Sequence, residues 1–267
     1  MEVRARVMAL AAMSLLAAAC GGSSGTLVTT APPVFRPALD TSWQVQLTGT
    51  IDTSFDVALY DVDLFDAPAS TIAELRGAGR HVICYVSVGT DESWRADAAS
   101  FPAAAVGNAL DGYPGERWLD TRDATVRALM AARLAVAAQK GCDGIDLANV
   151  SADGVDTGLA LTSADDVDYA AWLAGEAHAL GLGAGLGGAT TIAEAVAGDF
   201  EWALAEGCVA GGECDAYADF QAASKVVLGV EFGAANDAPR ICPAARADGL
   251  DALIKDRTFD AFRAACP

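Results

Sequence analysis

Short apolar runs that end in a carboxylate or an aromatic residue recur along this chain, and they limit its fold more than any other feature. Tyr60-Asp61-Val62-Asp63, Cys84-Tyr85-Val86-Ser87, Gly141-Cys142-Asp143-Gly144-Ile145-Asp146 and Leu204-Ala205-Glu206 each follow or finish such a run. Strand, polar residue and helix, repeated, is how a parallel α/β barrel brings functional groups to one rim. A chain of 267 residues suits one such barrel. Eight strands are expected, at 44–47, 57–60, 81–86, 117–120, 144–147, 183–186, 202–205 and 226–231. They are short and apolar on both faces, as buried parallel strands are. Between them, Val126, Leu129, Met130, Leu134 and Ala137 recur at helical spacing. Thr162-Ser163-Ala164-Asp165 has the form of a capping box, with Gly181 past the end of the helix it opens. The expected fold is therefore α/β, a single (β/α)8 TIM-type barrel over residues 40–267. Its first connection, 48–56, is too short for a crossover helix, so the barrel is expected to be irregular at the first βα unit. Residues 89–116 are expected as a loop insertion at the functional rim.

The N-terminus follows other rules. Arg4 and Arg6 precede an apolar stretch at 7–19, and Cys20 follows three alanines. This is a secretory signal, too short and wrongly flanked for a spanning helix. A cysteine directly after a small-residue cleavage site, then Gly21-Gly22-Ser23-Ser24-Gly25, has the form of a bacterial lipoprotein box. The expected organisation is a signal peptide at 1–19, lipidation at Cys20, a flexible tether at 20–39, and a membrane anchorage in the bacterial cell envelope. Cleavage before Cys20 removes Arg4, Arg6 and Glu2, a net +1, and takes the formal charge from −19 to −20. Such a surface repels nucleic acid and attracts cations. Six further cysteines in an exported chain point to disulfides. Spacing favours Cys208–Cys214 across a glycine-rich turn and Cys242–Cys266 at the C-terminal tail, which leaves Cys84 and Cys142 either bonded or reduced. No Cys-x-x-Cys occurs and only two histidines are present, so no metal and no cofactor is expected.

Paired carboxylates with aromatics, and no phosphate loop or Ser–His pair, are what glycoside hydrolysis requires: one carboxyl protonates the leaving oxygen, the other attacks or activates water. Glu206 and Asp146 are the catalytic candidates. Trp43, Tyr60, Asp61, Asp63, Tyr85 and Glu231 are the substrate-binding candidates, with Trp94 and Trp118 as further stacking platforms.

The sequence also resembles a known family. Trp43-Gln44-x-Gln46-Leu47, Tyr60-Asp61-Val62-Asp63-Leu64-Phe65-Asp66, Val82-Ile83-Cys84-Tyr85-Val86-Ser87-x-Gly89 and Asp111-Gly112-Tyr113-Pro114-Gly115-Glu116-Arg117-Trp118-Leu119-Asp120 are similar to runs of glycoside hydrolase family 114. The resemblance implies a TIM barrel and endo-α-1,4-polygalactosaminidase activity. It also implies a partly deacetylated, cationic galactosamine polymer as partner, which suits the acidic surface. The departures bear on catalysis. Family members carry Asp/Glu-Pro-Asp-Asn-Val-Asp where this chain has Asp146-Leu147-Ala148-Asn149-Val150-Ser151, so Ala148 stands at a catalytic aspartate position. Gly187-Gly188 replaces a typical Lys-Asn, and Ala205 replaces the Asn before the second catalytic residue, Glu206. The resemblance therefore implies impaired or lost hydrolysis. The alternatives are an active hydrolase using Asp146 with Glu206, or a non-catalytic surface scaffold or partner-binding lipoprotein.

Overall fold

The computed structural model describes residues 33–152 and 154–266. The expected signal peptide, Cys20 and most of the expected tether lie outside them. Eight parallel strands form the barrel: β1 (Trp43–Gln46), β2 (Leu59–Asp63), β3 (His81–Ser87), β7 (Gly144–Ala148), β8 (Gly183–Gly187), β9 (Trp202–Glu206), β10 (Val227–Phe232) and β11 (Asp251–Lys255), in that spatial order. Helices α1 (Ala69–Gly77), α2 (Ala124–Lys140) and α3 (Ser163–Ala179) make long crossovers, and α4 (Ala193–Val196), α5 (Cys208–Gly211), α6 (Ala218–Ala222) and α7 (Ala238–Ala247) make shorter ones. The ends of the long helices follow from their sequence. Asp123 accepts from Thr125 and Val126 N–H at the start of α2, and Gly141 ends it at φ 86°. The expected Thr162–Asp165 capping box opens α3.

Seven of the eight barrel strands coincide with expected ones. The exception is 117–120. That segment is β6 (Glu116–Leu119), the centre of a separate antiparallel sheet with β4 (Thr90–Glu92) and β5 (Val106–Ala109). The expected rim insertion is thus a folded three-stranded wall. The eighth barrel strand is β11, paired to β10 in parallel.

The last and first strands are joined by the C-terminal segment. Strand β12 (Ala264–Ala265) lies antiparallel on β11. Phe259 O accepts from Leu47 and Thr48 N–H, and Arg263 Nε donates to Trp43 O. The first βα unit is irregular, as expected, because no helix joins β1 to β2. The buried Gln46 amide organises the connection instead: its Nε2 donates to Thr48 O and Thr50 O, and its Oε1 accepts from Asp52 N–H.

Alternate residues of each strand face opposite sides. One set, including Val62, Cys84, Ile145, Leu147, Leu186 and Ala203, packs outward against Met130, Leu134 and Leu173 of the helices. The other set, including Trp43, Leu59, Ile83, Trp202, Leu204, Leu228 and Leu253, fills the barrel. Trp202 plugs its lower half, and its ring needs glycine at Gly144 and Gly185, where a Cβ would lie 2.6 and 2.1 Å from the indole. Phe35 covers Trp202 from below at 6.1 Å between ring centroids, and the Arg36 guanidinium donates to Ala223 and Ser224 carbonyls. The barrel domain therefore starts before residue 40, at the expense of the expected tether.

Three disulfides form, Cys84–Cys142, Cys208–Cys214 and Cys242–Cys266. The first ties β3 to the turn before β7 and settles the pair that spacing left open.

Candidate active site

Barrel geometry sorts the inward side chains into layers. With eight strands and a stagger of one residue per strand, alternate strands supply four residues to each layer. The observed register then groups Asp61, Asp146, Leu204 and Leu253, and above them Asp63, Ala148, Glu206 and Lys255. Tyr85 and Gly187 fall between these two layers on the intervening strands.

Two members of the upper layer are committed elsewhere. Asp63 is buried and receives both terminal nitrogens of Arg95, at 3.1 and 2.5 Å, and Arg95 is held in turn by Glu92. Lys255 is fully buried, and its ammonium donates to the Asp260 and Phe262 carbonyls of the closing segment. Ala148 and Glu206 remain, and both line a cavity of about 300 Å³ at the C-terminal mouth. Tyr85, Gly187 and Gly188 also line it, and Tyr113, Glu116 and Trp118 of the three-stranded wall close one side.

Glu206 has an exposed side chain, yet protein surrounds it and pushes its pKa up to about 7, with Arg257 pulling the other way. The two observations agree for a carboxyl in a deep mouth, enclosed on its flanks and open above. Burial, with Glu206 nearby, also raises the Tyr85 hydroxyl well above its ordinary value, so it stays a neutral donor over the cavity.

Beneath this floor, Asp61 and Asp146 are buried at 0% and 2% exposure. Neither oxygen of Asp61, nor Oδ1 of Asp146, meets an N–H or hydroxyl donor among the described residues. Each carboxyl is the other's neighbour, and two carboxyls hydrogen-bond only when one carries the proton. Burial first, then the Asp146 charge, raises Asp61 well above the carboxylate range, so Asp61 holds the proton and donates it to Asp146. Burial and the Glu206 charge raise Asp146 too, to about 7. A raised folded-state pKa gives stability that is full below the unfolded value near 4 and is lost as pH rises through the folded value. Asp61→Asn keeps a donor toward Asp146 and removes one ionisation. The melting temperature of the wild type should fall between pH 5 and pH 8. The Asp61→Asn variant should follow a shallower profile and melt about 3–6 °C higher at pH 8. Parallel profiles in a calorimetric pH series would refute the shared proton.

Of the expected site residues, the fold brings Tyr85 and Glu206 to the cavity and puts Asp146 and Asp61 just under it. Three others need correction. Trp43 is an inward residue of the lower barrel, 1% exposed, with its indole N–H on Asp251 O. Tyr60 faces outward; its hydroxyl donates to Phe55 O and its ring fills the side where a first crossover helix would pack. Glu231 also faces outward, and its carboxylate accepts from Val209 and Ala210 N–H at α5. Asp63 reaches the rim but is neutralised by Arg95. Ala205 likewise packs in the outer layer, so its replacement of Asn does not open the cavity, whereas Ala148, Ser151, Gly187 and Gly188 do line it. Among the described residues no cluster of three or more His, Cys, Asp or Glu could hold a metal. Sequence reasoning gave no role to Tyr113, Glu116 and Arg257. The first two lie in the recognised Asp111–Asp120 run, whose insertion at the rim was the available signal.

A (β/α)8 barrel with an aromatic-walled, carboxylate-bearing cavity at its C-terminal mouth defines a protein of the glycoside-hydrolase class. This chain belongs to glycoside-hydrolase family GH114, whose model matches residues 24–267. It is 38% identical to Ega3 of Aspergillus fumigatus, solved in complex with galactosamine, with a TM-score of 0.84 over 89% of this chain and 99% of that one. It is similar in fold to the glycoside hydrolase domain of PelA from Pseudomonas aeruginosa, at 14% identity and a TM-score of 0.67 over 86% and 99% of the two chains. A search of curated proteins finds no match.

Proposed function

We propose that this protein binds an α-1,4-linked, galactosamine-containing polysaccharide in the Glu206 cavity and has largely lost the power to cleave it. One observation carries the reading: Ala148 and Glu206 share a layer and a cavity, and where the family resemblance implies a catalytic aspartate beside Glu206 there is a methyl group. A single carboxylate can hold an ammonium or a hydroxyl, but it cannot supply both halves of acid–base chemistry. Asp146 does not replace the missing group. It lies two residues, roughly 6–7 Å, further down its strand, under the floor and bonded to Asp61. The galactosamine bound by Ega3 supports the choice of sugar, and the formal charge of −19 suits a cationic chain.

Residues 33–267 should bind partly deacetylated polygalactosamine and release few oligosaccharides. A hydrogen bond to a charged group contributes about 1.5–3 kcal/mol, so Glu206→Gln should weaken binding about 10–100-fold by calorimetry. Affinity should fall as Glu206 takes up its proton on the acid side of about 7, and should fall with added salt. Unchanged binding by the Glu206→Gln variant would refute the assignment.

The same proposal includes anchorage at the bacterial cell envelope through Cys20, supported by the sequence around it. Labelled palmitate should enter the full-length protein in a bacterial host and be absent from Cys20→Ala. Equal labelling of both would refute it.

A further inference from the structure

The two most exposed large aromatic side chains among the described residues are Trp94 and Tyr113, at 55% and 47%. They line one cavity of about 480 Å³, with Asp111, Glu116 and Arg257. Tyr113 and Glu116 also line the Glu206 cavity, so the two hollows are adjacent and share a wall. Exposed aromatics in a concave, partly apolar site mark binding surfaces.

The platform is rigid in its details. Gly115 sits at φ 95°, and a Cβ there would lie 3.1 Å from the Trp94 ring, so the indole rests directly on backbone. Trp94 is held in sequence between β4 and Arg95, whose guanidinium is locked into the Asp63–Glu92 ion pairs. Arg257, which also lines the hollow, is held 4.4 Å over the Phe232 ring. Electrostatics join the hollows too: the Glu206 charge helps raise the Tyr113 hydroxyl, after burial, and Arg257 opposes it.

We propose that the Trp94–Tyr113 hollow is a second subsite, which takes the pyranose ring next along an amino-sugar chain from the unit in the Glu206 cavity. This rests on the sugar-binding reading above. The apolar face of a pyranose stacks on Trp94, and a nearby ammonium gains attraction to the indole face. Glu116 supplies a carboxylate reachable from both hollows; Thr90 holds one of its oxygens at 2.8 Å. Adjacency to the Glu206 cavity and two carboxylates on the lining, Asp111 and Glu116, favour a further unit of the same cationic chain as the occupant.

The test uses calorimetry on the barrel with galactosamine and with an α-1,4-linked galactosamine tetramer. The wild type should prefer the tetramer. Trp94→Ala should reduce that preference at least tenfold, and Trp94→Phe should restore most of it. The tetramer should also shield tryptophan fluorescence from acrylamide in the wild type and much less in Trp94→Ala. Trp94 is half-exposed, so a melting curve will confirm that the variant folds. If Trp94→Ala keeps the full tetramer preference while Glu206→Gln loses sugar binding, the subsite is wrong and the Glu206 reading stands. If the wild type binds neither sugar, both fail together.

Discussion

Ala148→Asp should turn this protein into a measurable polygalactosaminidase. Ala148 lies in the layer of Glu206, with glycine at 187 and 188 beside them, so a carboxyl at 148 enters open space and not a packed core. Acid–base assistance from one positioned carboxyl contributes about 10²–10⁴-fold. Oligosaccharide release, measured by reducing ends or mass spectrometry, should rise at least 10²-fold above wild type. Adding Glu206→Gln should abolish the gain. The family resemblance puts a lysine where Gly187 stands, and the loss of a cation together with an anion is electrically balanced. A Cβ at 187 would lie 2.8 Å from Asp146 Oδ1 and 3.0 Å from Leu147 O, so a lysine enters beside position 148 only as the Asp146 carboxyl shifts to make room for it. The double change Ala148→Asp with Gly187→Lys is the second arm. Silence in both, with the polymer bound at wild-type strength, would mean that the reacting bond does not lie between positions 148 and 206, and the account of lost catalysis would fall.

Much of the architecture was readable because buried parallel strands advertise themselves as apolar runs. Strand β11 escaped because Asp251-Ala252-Leu253-Ile254-Lys255 carries only three apolar residues between charged ends. Its lysine is nonetheless fully buried, satisfied by carbonyls of residues five and seven places onward. Such a partner is invisible until the closing segment folds back. The segment at 117–120 took its place in the expectation because a strand in a small antiparallel sheet has the same composition as a barrel strand.

At the site, the difficulty was which face each strand-end residue takes. Glu231 beside Val230, and Ala205 beside Glu206, are neighbours that must point to opposite sides. Tyr60 and Asp61 are bound by the same rule and could not both have entered the barrel, so alternation alone excluded one of them. Choosing which requires the register, and the register depends on closure. The cavity's other wall comes from a loop sheet whose proximity to β7 and β9 has no local signature. Glu116 lies in the recognised Asp111–Asp120 run, but its place on the wall of both hollows follows only from how that sheet docks.

Arg95→Met should be the most destabilising single change at the rim. Arg95 is buried at 9% exposure and, among the described residues, is the only basic group within hydrogen-bond reach of Asp63; it also makes the closest ion pair to Glu92, at 2.8 Å against 3.8 Å from Arg133. Its guanidinium also lies 4.7 Å over the Phe65 ring. Methionine keeps the contact with Phe65 but removes the near cation from two buried carboxylates, leaving Asp63 with the Phe65 and Asp66 N–H groups and Glu92 with Arg133 at 3.8 Å. Breaking a buried pair costs about 3–5 kcal/mol because the remaining charge is poorly compensated, and with two carboxylates losing their nearest cation the upper end applies. For a domain of this size that corresponds to a fall in melting temperature of about 10–20 °C. Burial already raises Glu92, with Arg95 opposing it, so without the guanidinium Glu92 should take up a proton more readily. Its contribution is then least unfavourable at low pH, and the deficit should be smaller at pH 5 than at pH 8. Adding Asp63→Asn and Glu92→Gln should recover most of the loss, since it removes the charges that were stranded. Arg95 is also the neighbour of Trp94, so the triple variant, folded but without its ion pairs, should bind the galactosamine tetramer less tightly than wild type. If Arg95→Met melts like wild type at pH 8, the ion pairs do not hold this rim, and the rigidity claimed for the Trp94 platform loses its physical basis.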